Sequence, residues 1–533
     1  MRFLARCATL SAYLCGGATR RVKTYRKAAL YWALCGSVVL LSLLPPSLRV
    51  SASGDRSHVK HLSRSPSFSA HGVGSVFGVG AFVTQRSEAV ARLVVARARV
   101  LGASWVREEF TASRLHVGPR KPYQWSSYDR IVNQERAAGL HILGLLDYSN
   151  TWRFGNHGVV PHAGLATVSS DFAEYAYAVA RHFRGRVHYW QVWNEPDLPV
   201  FWRPEPDAAD YAKLLTQAYK AIKRADPTDT VVMAGTSGVD LGFVHRVVAS
   251  GGRFDVVSVH PYRNIPEPQL IREVASLRSL HRPIWFSEIG WPAGPGCDLC
   301  ADEEAQAAYL VRFYTLAAAS GVARVFWYDL RDDPHTAESP EAHFGLLRRD
   351  LSAKPAFLAY ARLDRILRGA TFIRADAVNR GGLYALRFRG PRGPIVVLWN
   401  TGTNVQSVRL SWHNAIGIAV GMDAGLLDTL PANRSAITVT VPAGGVPFFL
   451  VTRPPSLTLP ALGPLLHFAP VTGAGGAWVA KPASTASATS TPVPREHTVV
   501  IGGKTKVDRA TPTPNPSPTA ATTATTATAT ATL

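Results

Sequence analysis

The sequence predicts an α/β protein: a (β/α)8 TIM barrel followed by a small β-sandwich. Three observations carry this. Between 74 and 368, short β-branched and aromatic runs alternate with helical periods, eight times over roughly 300 residues. No GxGxxG or GxxxxGK[ST] follows the first run, which argues against the open nucleotide-binding sheets. After 370 the helical period disappears, and short strands between Gly, Pro and Asn turns take over.

The eight strand runs are VFGVGAFV (76–83), SWVRE (104–108), HILGLLDY (141–148), VHYWQVWNE (187–195), TVVMAG (230–235), FDVVSVHPY (254–262), PIWFSEIGW (283–291) and RVFWYDL (324–330). Helical stretches between them include 87–102, 171–185, 208–225 and 303–321, and 354–369 closes the series. The barrel then occupies 73–369 and the sandwich 370–453. Six runs supply the sandwich: TFIRADAV, GGLYALRF, GPIVVLWN, VQSVRLSW, AITVTV and VPFFLVTR.

The ends of the chain read differently. Residues 1–27 hold Arg2, Arg6, Arg20, Arg21, Lys23, Arg26 and Lys27 and no acid, ahead of an uncharged run (28–44) that stops at Pro45-Pro46. That pattern predicts a signal-anchor or a cleaved signal peptide over 28–46, with the basic flank in the cytoplasm and everything after it outside. Val50-Ser51-Ala52 suits a signal-peptidase site. A spacer at 47–72 and a Pro/Ser/Thr/Ala-rich tail at 454–533 lack the composition to build a core and are expected to be disordered. The net charge of +21 raises nucleic acid as a partner, but no dense basic stripe exists outside the N-region, so none is expected. Five cysteines exclude a disulfide-built scaffold for 533 residues.

Active sites of such barrels sit where strands end and βα loops begin. Glu195 ends the fourth run in WQVWNEPD, and Glu288 ends the seventh in PIWFSEIGWP. Strands four and seven lie on opposite sides of the barrel mouth, so the two carboxyls can face each other across it. Such a pair suits glycoside hydrolysis, in which one carboxyl protonates the leaving oxygen and the other attacks or activates water. Spacing alone leaves their separation open. The Glu108-Glu109 pair reads as a solvated or salt-bridged edge. Cys297 and Cys300, in GPGCDLCADEE, are a weak zinc signal without a second ligand pair. In an exported chain they most simply form a short-loop disulfide, with free thiols as the alternative. The chemistry requires no metal and no cofactor.

The two motifs together, WNEP at strand four and WFSEIGWP at strand seven, resemble glycoside hydrolase clan A, nearest its families 39 and 5. The resemblance covers about 73–453, because a β-sandwich also follows the barrel in family 39-like enzymes. It implies Glu195 as acid/base and Glu288 as nucleophile of a retaining mechanism, with carboxyls roughly 5–5.5 Å apart. It implies Arg107 beside Glu288, holding it ionised, and Asn194 on the sugar 2-OH. His260 and Tyr262, in VHPY, would lie between the carboxylates, with Tyr262 donating to Glu288, and Trp327 would offer an apolar face to the sugar. The segment FGLLRRDLSAKPAFLAY resembles the final loop and helix of these enzymes, whereas LLDYSNTW lacks the His that many family 5 members carry after strand three. Bland readings stand beside these. Arg107 could pair with Glu108 or Glu109, His260 could be a satisfied core histidine, and Tyr262 and Trp327 could simply pack. Trp152, Trp202 and Trp291 are sugar-stacking walls or packing aromatics. The expected function is a secreted or membrane-anchored retaining O-glycosidase acting on a polysaccharide or oligosaccharide. The alternatives are a catalytically inactive sugar-binding protein on the same barrel and an anionic-polymer-binding surface protein.

Overall fold

Alternation within each short run decides which side chains line the interior and which meet the helices. The computed structural model describes residues 76–154, 165–267, 269–412, 417–422, 425–430, 435–452 and 498–500. The basic N-region, the 28–46 run, the spacer and the rest of the 454–533 tail lie outside these residues.

The barrel strands are β1 Phe77–Gly80, β2 Trp105–Thr111, β3 His141–Asp147, β4 Tyr189–Val192, β5 Thr230–Met233, β6 Val257–His260, β7 Ile284–Ile289 and β8 Arg324–Trp327. All pair in parallel, in the order β5-β4-β3-β2-β1-β8-β7-β6. A two-residue continuation of β5, Thr236–Ser237, pairs with β6, and Val232 of β5 bridges Val256 just before β6. The parallel sheet thus curls back on itself in the manner of a TIM barrel.

A main helix follows each strand, with an extra single turn ahead of it after β2 (Ala112–Leu115) and β3 (Thr151–Phe154): α1 Glu88–Leu101, α2 Ser126–Ala137, α3 Leu165–His182, α4 Ala208–Ala225, α5 Leu241–Ala249, α6 Leu270–Leu277, α7 Glu303–Ala319 and α8 Pro355–Leu367. Their starts follow local chemistry. Asp207 accepts from the backbone N–H groups of Ala209 and Asp210 ahead of α4, Asp302 accepts from Ala305 ahead of α7, and Pro355 opens α8. Among the described residues, no helix is long and apolar enough to cross a membrane.

Inside the barrel, Trp105, Leu143, Val232, Val256, Trp285 and Phe326 form an apolar floor. Two residues further along the same faces come Arg107, Ser258 and Ser287, and Gln191 follows Tyr189 in the same way. Period two therefore stacks a polar layer directly on an aromatic one.

The C-terminal region has a six-stranded and a three-stranded sheet. The larger contains β9 Thr371–Arg380, β10 Leu383–Gly390, β11 Gly393–Asn400, β13 Gly417–Gly421, β14 Leu426–Leu430 and β16 Phe448–Val451, in the order β9-β10-β11-β16-β13-β14. The smaller contains β12 Gln406–Ser411, β15 Ala436–Val441 and β17 Thr498–Val500. Strands β13, β14 and β17 were not expected from the sequence; β13 and β14 have only five residues each, β13 begins and ends in glycine, and β17 pairs with β15 from within the tail expected to be disordered.

The unbroken apolar runs of β10, β11 and β16 follow from burial on both faces. Leu383, Ala385, Val396, Leu398, Phe448 and Leu450 join the core shared with the second sheet. Tyr384, Leu386, Val397, Trp399, Phe449 and Val451 join the barrel's own core. Helix α7 is accordingly buried almost all round, including Arg312.

Candidate active site

The polar layer leads directly to the two carboxylates. Arg107 lies in mid-strand rather than at a strand end, because β2 runs on to Thr111. It faces inward, as its parity with Trp105 requires, and is fully buried. It pairs with neither Glu108 nor Glu109. Its guanidinium donates Nε to Gln191 Oε1 at 2.8 Å, NH1 to Glu288 Oε1 at 2.5 Å and NH2 to Asn194 Oδ1 at 2.9 Å. Gln191 donates onward to Ser287 Oγ at 2.8 Å, and the Ser258 and Ser287 hydroxyls are 2.6 Å apart.

Simple alternation would turn Glu288 outward, since Trp285 and Ser287 occupy the inward positions of β7. The β7–β8 ladder shifts register between Phe286 and Ile289, and this irregularity lets Glu288 reach the interior as well. Glu195 is re-aimed by a different route. The β4 ladder stops at Val192, earlier than expected, and Trp193 and Glu195 take positive φ of 71° and 42°. Trp193 then packs against Trp202 and Phe172, while Asn194 turns to Arg107 and Glu195 turns into the mouth. Positive φ at a bulky non-glycine residue costs energy, and here it accompanies the functional turn.

His260, at the end of β6, sits between the carboxylates. Its Nδ1 lies 3.1 Å from Glu195 Oε1 and 3.5 Å from Glu288 Oε2, and its Nε2 lies 2.9 Å from Ser287 Oγ. One ligand-type atom from each of Glu195, His260 and Glu288 lies within 4.8 Å of the other two. Tyr262 donates its hydroxyl to Glu288 Oε2 at 3.1 Å. Burial first, and then the charges of Glu288, Glu195 and Glu341, hold this phenol well above its ordinary value, so it stays a donor.

Trp327 requires a correction. Phe326 points inward onto the barrel floor, so its neighbour Trp327 turns outward. Trp327 is 0% exposed, packs on Trp291 and donates Nε1 to Phe344 O, leaving no face open to a sugar. Trp202 and Trp291 are buried too and are packing aromatics, whereas Trp152 is half-buried. Phe82, Tyr328 and Phe344 form a small buried cluster against which the half-buried Tyr262 packs, and Tyr328 donates to Glu341 Oε2 at 3.1 Å.

Cys297 and Cys300 form a disulfide in the loop that follows β7. Glu108 faces away from the mouth. Together with Val83, Thr84 and Glu135 it forms a buried structural cluster rather than a solvated edge. A second trio with ligand-type atoms within 4.8 Å of one another, His188, Asp226 and Asp229, lies at the start of β4 and β5. There Asp229 already accepts from Trp190 Nε1 and sits beside His188 Nδ1.

Sequence reasoning missed Gln191, Ser258, Ser287, Asp197 and Glu341. Two-residue spacing from inward aromatics could have found Gln191 and Ser287. Glu341 sits in a single 3-10 turn, Pro340–His343, between β8 and α8 and carries no such signal.

No protein-family model matches the chain. A β-xylosidase of Geobacillus stearothermophilus is 24% identical over 332 residues, covering 53% of this chain and 63% of that protein, so the chain spans less than two thirds of that relative's length. A family 39 glycoside hydrolase from Bacteroides cellulosilyticus WH2 superimposes with a TM-score of 0.58 at 22% identity, over 71% of this chain and 80% of its own. A family 39 β-xylosidase from Caulobacter crescentus gives 0.51 at 19% identity, over 70% and 94%. A family 30 xylanase from Clostridium acetobutylicum gives 0.51 at 13%, over 71% and 95%. The chain therefore resembles clan A glycoside hydrolases of families 39 and 30 in fold.

Proposed function

We propose that this protein is a retaining O-glycoside hydrolase, with Glu195 as acid/base and Glu288 as nucleophile. One observation carries the reading: carboxylates from β4 and β7 converge within 4.8 Å across His260, and one of them is held by a buried arginine and a phenol. Separations near 5 Å suit direct attack on the anomeric carbon, whereas the inverting geometry needs about 6.5–9.5 Å to admit a water.

The roles follow from the partners. Arg107 and Tyr262 stabilise Glu288 as an anion, the state required to attack carbon. Glu195 lies across the mouth, where it gives its proton to the glycosidic oxygen as that bond breaks. Glu288 then carries the sugar as an ester. In the second step Glu195 takes a proton from water, the water attacks the anomeric carbon, and Glu288 leaves as carboxylate. Asn194, oriented by Arg107, binds the 2-OH.

The similarity to β-xylosidases and a xylanase makes β-xylosides the first substrates to try. We place the enzyme outside the cytoplasm. The Cys297–Cys300 disulfide supports an oxidising compartment, and the charge pattern of 1–46 supports export, although those residues lie outside the described ones.

Product stereochemistry with azide tests the two roles separately. Glu195→Ala should accumulate glycosyl-enzyme from activated aryl glycosides, and azide should rescue turnover to give a glycosyl azide of the substrate's configuration. Glu288→Gly should be rescued by direct azide attack, giving the opposite anomer. Swapped outcomes reverse the roles. Full activity in both variants removes the glycosidase reading, and glycan binding without release of reducing ends would identify a sugar-binding protein instead.

A further inference from the structure

Four strands each contribute one side chain to a buried hydrogen-bond chain beneath the carboxylates: Arg107 from β2, Gln191 from β4, Ser258 from β6 and Ser287 from β7. The chain ends on the buried ring of His260. The hydrogens these groups carry fix its direction. An arginine can only donate, and Arg107 Nε gives its hydrogen to Gln191 at 2.8 Å, so the accepting atom is Oε1 and the amide NH2 faces the other way. Before that NH2 lie Ser287 Oγ at 2.8 Å, Met233 O at 3.2 Å and Ser258 Oγ at 3.3 Å. The carbonyl takes one of its two hydrogens, and the nearer hydroxyl, Ser287, takes the other.

Ser287 Oγ then has one lone pair and one hydrogen left, to divide between Ser258 Oγ at 2.6 Å and His260 Nε2 at 2.9 Å. If Ser258 donates to Ser287, and Ser287 to His260, every hydrogen in the chain is used. The reverse direction puts a hydrogen on Nε2. The Ser258 hydroxyl touches only the Gln191 NH2 and Ser287 among the described residues, so its own hydrogen would then be buried without an acceptor. The other edge of the ring agrees. Nδ1 faces two carboxylate oxygens, Glu195 Oε1 at 3.1 Å and Glu288 Oε2 at 3.5 Å. An N–H there is attracted to both, whereas a bare lone pair is repelled by the Glu288 anion.

We propose that Ser287 is a positioning residue for the acid/base: its hydroxyl donates to His260 Nε2 and holds the imidazole hydrogen on Nδ1. Glu195 Oε1 is thereby an acceptor, and the acid proton is left on Oε2. The inference rests on the glycosidase reading and deepens it. With the opposite tautomer, a bare Nδ1 would accept the Glu195 proton and compete for it with the glycosidic oxygen.

The experiment uses the full chain carrying isotope-labelled histidine, whose ring nitrogens give distinct NMR shifts with and without a hydrogen. The signals lost in His260→Gln identify His260. The wild type should show the hydrogen on Nδ1 and a bare Nε2, and a hydrogen on Nε2 overturns the proposal outright. Ser287→Ala should lose this preference, whereas Ser287→Thr, which keeps the hydroxyl, should retain it. Kinetics uses phenyl and 2,4-dinitrophenyl glycosides of the sugar that the wild type hydrolyses fastest. For the phenyl glycoside, which needs its leaving oxygen protonated, Ser287→Ala should lower kcat/KM about tenfold. The dinitrophenyl glycoside needs no proton, so its kcat/KM should stay within about threefold of wild type. Ser287→Cys, a weaker donor of similar size, is read in the same way if the alanine variant does not fold. Equal loss on both probes, or an unchanged His260 tautomer in the alanine variant, overturns the role of Ser287 and leaves the glycosidase reading standing. Failure of the wild type on every aryl glycoside removes the glycosidase reading and the acid/base role with it, while the nitrogen shifts still decide the tautomer.

Discussion

Replacing Gly235 by alanine should disable the proposed site without touching either carboxylate. A Cβ at this position would lie 2.1 Å from Nε2 and 2.2 Å from Cδ2 of His260. Ordinary contact begins near 3.5 Å, so either the ring or the backbone at 235 must give by about 1.3 Å. Neither has slack. The ring is held by Ser287 and Glu195, and Gly235 O accepts the Glu195 N–H. Movement of the ring shifts the group between the carboxylates, and movement of the backbone shifts Glu195 itself. Overpacking of this kind costs about 1–3 kcal/mol of stability, and a misplacement near 1 Å can cost about a hundredfold in rate. Steady-state kinetics on an aryl glycoside, with a thermal melt on the same sample, would measure both. The expected result is a folded protein whose kcat/KM is down about a hundredfold. Activity within threefold of wild type would refute the claim that His260 is held against the acid/base by this glycine.

The buried carboxyls Glu108 and Glu135 predict a dependence of stability on pH. Burial raises Glu108 to about 7, and burial and then the charge of Glu108 raise Glu135 well above its usual range. The folded state therefore favours their protons, and the stability they contribute is complete below about pH 4.5 and lost as pH rises through 7. Glu135→Gln should melt a few degrees above wild type near pH 8.5 and show no gain near pH 4.5, whereas equal gains at both would refute the assignment. The contact between barrel and C-terminal sheet predicts a coupled loss. Arg312 donates Nε and NH2 to Glu267 at 2.5 and 2.6 Å, and Trp399 donates Nε1 to the same carboxylate at 2.9 Å. Arg312→Met should cost about 3–5 kcal/mol in urea denaturation because it strands a buried carboxylate, and Arg312→Met combined with Glu267→Met should recover much of that. No recovery in the double variant would place the loss in packing instead.

The sequence by itself determined the barrel's periodicity and the placing of Glu195 and Glu288 at the ends of opposite strands. Both are local properties. Period two, helical period and turn residues are written within ten or twenty positions, and the mouth of such a barrel is wherever its strands stop. Only the tertiary structure decided where side chains point. Arg107 reaches Gln191, Asn194 and Glu288, residues 84 to 181 positions away, and nothing local to β2 distinguishes this from an ion pair with Glu108. Glu288 faces inward because of one irregularity in the β7–β8 ladder, and an adjacent-residue parity that looked equally open put Trp327 on the outside. Likewise, the run in β11 shows that it is apolar, but not that Val396 and Leu398 meet a second sheet while Val397 and Trp399 meet the barrel. Composition records what a strand can bury. Which face meets which partner is settled only when distant segments pack together, because parity and register belong to the pair rather than to either strand.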